Sequence, residues 1–100
     1  MLQKTLPDLR KDAIAIFHAG LTAAAPGPAI HAHCRRDGDW LHVGSRSYDL
    51  SRYETIRIIG AGKAAAAMAQ TLEALLGDRL DSGLVIVKYD HTAPLRTTRI

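Results

Sequence analysis

The chain has 100 residues, enough for one small domain with little stability to spare. Hydrophobic residues make up 47% and charged residues 23%, a balance that excludes a disordered chain. The net charge of +3 comes from lysines and arginines that are scattered apart from Arg35-Arg36 and the pair Arg96 and Arg99, which excludes the basic, aromatic-interleaved face of a nucleic-acid binder.

Residues 8–24 are predicted to form a helix, because Leu6, Leu9, Ala13, Ile16, Phe17 and Leu21 recur at helical spacing. Pro7 and Asp8 suit its first turn, and Pro26-Gly27-Pro28 ends it. A β-hairpin is expected next, with residues 29–36 and 39–44 flanking a two-residue turn at Asp37-Gly38. That turn sets Arg36 opposite Asp39, Cys34 opposite Leu41, His33 opposite His42 and Ala32 opposite Val43. Ile30, Ala32, Cys34, Leu41 and Val43 then share one apolar face. Residues 47–50 extend this sheet. Ile56-Arg57-Ile58-Ile59 reads as a buried strand, residues 63–76 as an alanine-rich helix that stops at Gly77, and residues 83–88 as a second strand. Strand, glycine turn, helix and strand form a βαβ unit with parallel strands and a right-handed crossover. The last residues, 96–100, begin another strand. The expected fold is therefore α/β: a Rossmann-like parallel βαβ unit preceded by a helix and a β-hairpin, as an incomplete three-layer domain.

In such a unit ligands meet the carboxyl ends of the strands. Gly60 and Gly62 lie at one of these ends, where glycine lets the backbone turn sharply and come close to a ligand. The following helix offers free N–H groups and the positive end of its dipole to an anion. Lys63, placed in the first helical turn, faces the wrong end of that dipole unless an anion lies between them. Fixed there, its ammonium suits the charge that spreads over a transferring phosphoryl group. The plain alternative is a packing turn with a solvated lysine. Two other motifs compete. A Walker A loop fails, since Ala64 replaces its Ser/Thr and Arg57 its first glycine. A dinucleotide fingerprint fits as Gly60, Gly62 and Ala65, but Lys88 ends the next strand where an acidic residue belongs, and Asp90 lies beyond it.

Several stretches together resemble the type II glycerate 2-kinase family, the group with the MOFRL C-terminal domain. Ala13, Ile16, Phe17, Ala19, Gly20 and Leu21 match its A-x-x-I-F-x-A-G-L pattern; IIGAGKAAAAMA at residues 58–69 is similar to its main N-terminal motif; GLVIVKYDH at residues 83–91 resembles its next strand and K-Y-G-H turn. The resemblance implies that residues 1–100 are the N-terminal portion of that family's N-terminal domain. It also implies an ATP-dependent, Mg2+-assisted phosphorylation of D-glycerate to 2-phosphoglycerate, with a site completed by a further, C-terminal domain. The family's active-site lysine matches Lys63, and Gly60, Gly62, Lys88 and His91 are the expected phosphate or substrate contacts. Asp90 stands where the family usually has glycine. The fragment by itself is expected to be inactive. The alternatives are an NAD(P)-dependent hydroxypyruvate reductase and a non-catalytic phosphosugar-binding module.

Other residues are assigned plainer roles. His31, His33 and His42 coat the hairpin's polar face; zinc binding is the less favoured alternative. Cys34, the one cysteine, is a structural thiol and cannot make an internal disulfide. The start MLQKTLPDLRKD lacks the apolar stretch of a secretory signal, and no apolar run reaches the ~20 residues of a membrane span. The expectation is a cytoplasmic protein with no membrane or nucleic-acid partner.

Overall fold

Thr5 starts the first helix two residues earlier than the apolar spacing indicates. In the computed structural model, which describes residues 3–100, α1 runs Leu6–Ala24; Met1 and Leu2 lie outside the described residues. The Thr5 hydroxyl accepts the Asp8 N–H at 3.3 Å and the Asp8 carboxylate accepts the Thr5 N–H at 3.2 Å, a reciprocal capping box. The helix ends at Ala25, held extended (ψ 144°) by the proline that follows it.

The two prolines end α1 as expected, and they also start a second helix. α2 spans Pro26–His33 and bends 45° from α1. Proline fits a first helical turn because its missing N–H would have no partner there. Residues 29–33 are thus helical, and the hairpin strand begins only at Cys34. The antiparallel sheet has three strands, β1 (Cys34–Asp37), β2 (Trp40–Val43) and β3 (Arg46–Asp49), in that order.

The hairpin register also needs correction. Asp37 pairs with Trp40, Arg36 with Leu41, Arg35 with His42 and Cys34 with Val43, so the loop is Gly38-Asp39. Gly38 has φ +59°, as the first loop residue of a type II′ turn requires, and the β2–β3 loop repeats the device with Gly44 at φ +58°. The register slips by two residues, so Cys34, Leu41 and Val43 keep their shared face, while the expected pairs are lost and Ile30 and Ala32 lie in α2 instead. His33 lies in α2, not opposite His42. Among the described residues no three of His, Cys, Asp and Glu gather as a metal site.

The slip puts Arg36 beside Leu41 on the apolar face, and it is not wasted there. Its guanidinium donates to the carbonyls of Leu75, at 3.0 Å, and Leu76, the last residues of α3 (Ala65–Leu76). A cation therefore closes the negative end of that helix. Arg79 and Asp39, 2.6 Å apart, add a second tie between the hairpin and the end of α3.

The second sheet is parallel, in the order β4 (Arg57–Ala61), β5 (Ser82–Ile86), β6 (Thr98–Arg99). α3 crosses one face of it, burying Ala65, Ala66, Ala69, Glu73 and Leu76. Its alanines bring the helix close, and Ile58, Val85, Leu50 and Leu80 complete the small core. Gly83 leaves room for Thr98, whose Oγ1 lies 2.6 Å from where a side-chain carbon would start. That approach lets the short β6 join the sheet.

The opposite face carries Ile59, Leu84 and Ile86, which are 85%, 49% and 69% exposed. A parallel sheet is normally covered on both sides. α1 likewise buries none of its residues and leaves Ile16, Phe17 and Leu21 exposed. The radius of gyration is 18.3 Å, against about 13 Å for a compact domain of this length. The architecture is the expected α/β one, a βαβ unit with one helical layer of a three-layer domain in place. No single helix among the described residues is long and apolar enough to cross a membrane.

Candidate phosphate site at the strand ends

β4 and β5 run parallel, with Ala61 opposite Ile86, so the segments that follow them leave the sheet at one edge. The Gly62 N–H donates to the Ile86 carbonyl at 2.9 Å, which fastens the first turn to the second strand. Two expected site segments, Gly60-Ala61-Gly62-Lys63 and residues 88–91, therefore emerge side by side.

The two glycines differ. Gly62 has φ +118°, a conformation that side chains of L residues rarely adopt. Gly60 has ordinary backbone, and a methyl group there would meet Val85 at 3.4 Å and Ala65 at 3.7 Å, normal contact distances. Gly62→Ala is expected to cost about 1–3 kcal/mol of unfolding free energy and Gly60→Ala less than about 1, measured by urea denaturation.

Lys63 lies just before the helix, not in its first turn. α3 begins at Ala65, with Ala64 as its N-cap, and the Ala65 N–H donates to the Gly62 carbonyl at 3.2 Å. The contrast with α1 is informative. α1 satisfies its own first N–H groups through Thr5 and Asp8, whereas α3 has no capping side chain and no acidic residue in its first turn. Its positive end is left to whatever lies outside. Lys63 and Lys88 are both exposed, and neither makes an ion pair with a carboxylate among the described residues. The site is an open edge: none of the clefts at the hairpin, at the bare sheet face or beside Glu73 includes Lys63.

Residues 88–91 form a β-turn closed by the His91 N–H on the Lys88 carbonyl at 3.1 Å. Asp90, its third residue, has φ +66°. That is the position where a turn of this kind wants glycine. The departure from the K-Y-G-H pattern thus falls where the backbone itself favours glycine, and Asp is among the few residues that tolerate it. Asp90→Gly should raise stability by about 1 kcal/mol in the same denaturation assay. His91 Nδ1 lies 2.9 Å from the Tyr89 carbonyl. A carbonyl only accepts, so Nδ1 is the donor in this contact.

Sequence reasoning passed over Glu73. This residue of α3 is 4% exposed, and its carboxylate accepts the N–H groups of Arg96, Thr97 and Thr98 at 2.8, 2.7 and 2.6 Å. Burial pushes its pKa up, but the three backbone donors outweigh burial and bring it from 4.5 down to about 2. The signal was present: Glu73 lies four residues after Ala69 and three before Leu76, on the helix's apolar stripe. Arg36, at an apolar-face position of the hairpin, is the same kind of signal.

A family profile described as "Domain of unknown function (DUF4147)" matches residues 12–100. A protein from Danio rerio named glycerate kinase is 33% identical over 92 residues, which is 92% of this chain and 18% of that protein. Glycerate kinase from Homo sapiens is 33% identical over 81 residues, 79% of this chain and 15% of its own length. A putative hydroxypyruvate reductase from Agrobacterium vitis is 46% identical over 43 residues, 43% of this chain and 11% of that protein. The chain thus spans less than a fifth of the length of these relatives. The crystal structure of the PH0495 protein from Pyrococcus horikoshii OT3 superposes with a TM-score of 0.71 over 99% of this chain and 21% of its own, at 22% identity, and so shares the fold. With the profile covering all but the first eleven residues, and the glycine turn and K-Y-D-H turn inside it, the chain belongs to the DUF4147 family.

Proposed function

We propose that the protein carrying this segment is an ATP-dependent glycerate kinase that phosphorylates the 2-hydroxyl of D-glycerate, and that the Gly62-Lys63 turn receives phosphoryl oxygens. The observation that carries this reading is an exposed lysine beside an uncapped helix start, at the carboxyl edge of parallel strands, with no carboxylate paired to it among the described residues. The names of the two glycerate kinase relatives support the substrate.

Lys63 binds the transferring phosphoryl group, and its ammonium neutralises charge that grows on the oxygens during transfer. Gly62 brings backbone close to the same group. Lys88, on the neighbouring segment, attracts the glycerate carboxylate or a second phosphate. His91, in the same turn as Lys88, is a further contact for the substrate. ATP meets this edge through its phosphates, because none of the clefts described above includes Lys63. Magnesium fits poorly: it requires near-octahedral oxygen ligands, and Asp90 is the one carboxylate in these two turns. The ion's ligands, the nucleoside pocket and most of the glycerate site belong in this reading to a further domain. Cytoplasmic residence is part of it too, since ATP is abundant there and Cys34 is a free thiol.

The test is an assay of the whole protein with ATP, Mg2+ and D-glycerate, with the product identified by 31P NMR. Formation of 2-phosphoglycerate is expected. NADPH-dependent reduction of hydroxypyruvate, with no ATP consumed, would replace this reading with the reductase. Phosphosugar binding without turnover would replace it with the non-catalytic module.

A further inference from the structure

β5 and β6 are adjacent and parallel, yet no helix joins them. Residues 87–97 make the crossover as irregular chain apart from the turn at residues 88–91. Such a segment has few internal hydrogen bonds and must be anchored from outside. Its described anchors are Val87 and Leu95 against the core, the turn itself, and Glu73 at its far end.

The Glu73 anchor is a built one. Three successive backbone N–H groups converge on a single buried carboxylate, an anion nest whose anion is a side chain of α3. The same helix begins beside Lys63. One rigid element therefore sets the end of the glycine turn at its start and clamps the crossover nearer its other end. Each turn bears a lysine of the candidate site.

We propose that Glu73 is a positioning residue: by clamping residues 96–98 onto α3 it holds the crossover taut, so that the turn bearing Lys88 and His91 stands beside the turn bearing Lys63. Its bearing on ligand binding rests on the reading of the Lys63 turn as a phosphate site.

Amide hydrogen exchange on the whole protein carrying this chain tests this, comparing the wild type with Glu73→Gln and Glu73→Asp, alongside titrations with pyrophosphate. In Glu73→Gln, exchange should quicken about tenfold or more at residues 88–91 as well as at 96–98, with β1–β3 unchanged. Pyrophosphate affinity should fall about tenfold, with Glu73→Asp in between. Faster exchange at 96–98 alone would make the contact a local tie and overturn the proposal. If Lys63→Ala abolishes pyrophosphate binding while Glu73→Gln changes neither binding nor exchange at 88–91, the positioning role fails and the phosphate site stands. If the wild type binds no pyrophosphate but exchange at 88–91 quickens, the phosphate site fails and the positioning role stands. Should Glu73→Gln not fold, Glu73→Asp, which keeps the charge on a shorter stem, carries the same comparison.

Discussion

Glu73→Ala is expected to lower the unfolding free energy at pH 7 by about 3 kcal/mol, read from urea denaturation. The carboxylate has a folded pKa of about 2 against an ordinary 4.5. At about 1.4 kcal/mol for each tenfold change in proton affinity, that difference corresponds to about 3 kcal/mol. Removing the side chain also leaves three backbone N–H groups without their acceptor. The pH dependence follows from the direction of the shift. A depressed carboxyl pKa gives stability that is fully present above pH 4.5 and is lost as pH falls toward 2. Wild type should therefore lose stability across that window while Glu73→Ala loses less, so that the two curves converge in acid. A constant gap between them down to pH 2 would show that these contacts do not lower the carboxyl's pKa. Small domains have only about 5 kcal/mol in hand, so this one residue holds a large share.

Lys63→Ala, made in the whole protein, should lower kcat about 10²–10³-fold with little change in the KM for glycerate. The reasoning is that the ammonium meets charge that grows in the transition state, rather than charge present throughout. Lys63→Arg should recover only part of the rate, because a planar fork does not reproduce a compact ammonium at a tight glycine turn. Loss confined to KM would make Lys63 a ground-state phosphate holder. Unchanged kcat and KM would remove it from the site.

What could be read from the residues was set by periodicity and backbone chemistry. The βαβ unit was recoverable because β-branched runs, a glycine break and an apolar helical stripe all agree there. α2 was not, since Pro26-Gly27-Pro28 reads equally as the end of one helix or the start of the next, and only the packing of α2 on α3 decides. The hairpin turn was misplaced by one residue because Asp37-Gly38 and Gly38-Asp39 both suit two-residue loops; Arg36, drawn to the carbonyls at the end of α3, favours the second. At the candidate site, the glycine turn and its lysine were visible as a motif. The side-by-side placement of the Lys88 turn needed the register of β4 on β5. Glu73 stands out as an acidic residue on the apolar stripe of α3, but its partners were not legible, because they are backbone groups 23 to 25 residues away that carry no residue signature.

Backbone amide NMR of the 100-residue chain during titration with pyrophosphate tests the Lys63 turn most directly. Saturable shifts are expected at Gly62, Lys63, Ala64, Ala65 and Ala66, and they should vanish in Lys63→Ala. Shifts confined to His31 in α2 and to Arg35 and His42 in the hairpin, or an unresponsive glycine turn, would contradict the phosphate-binding role.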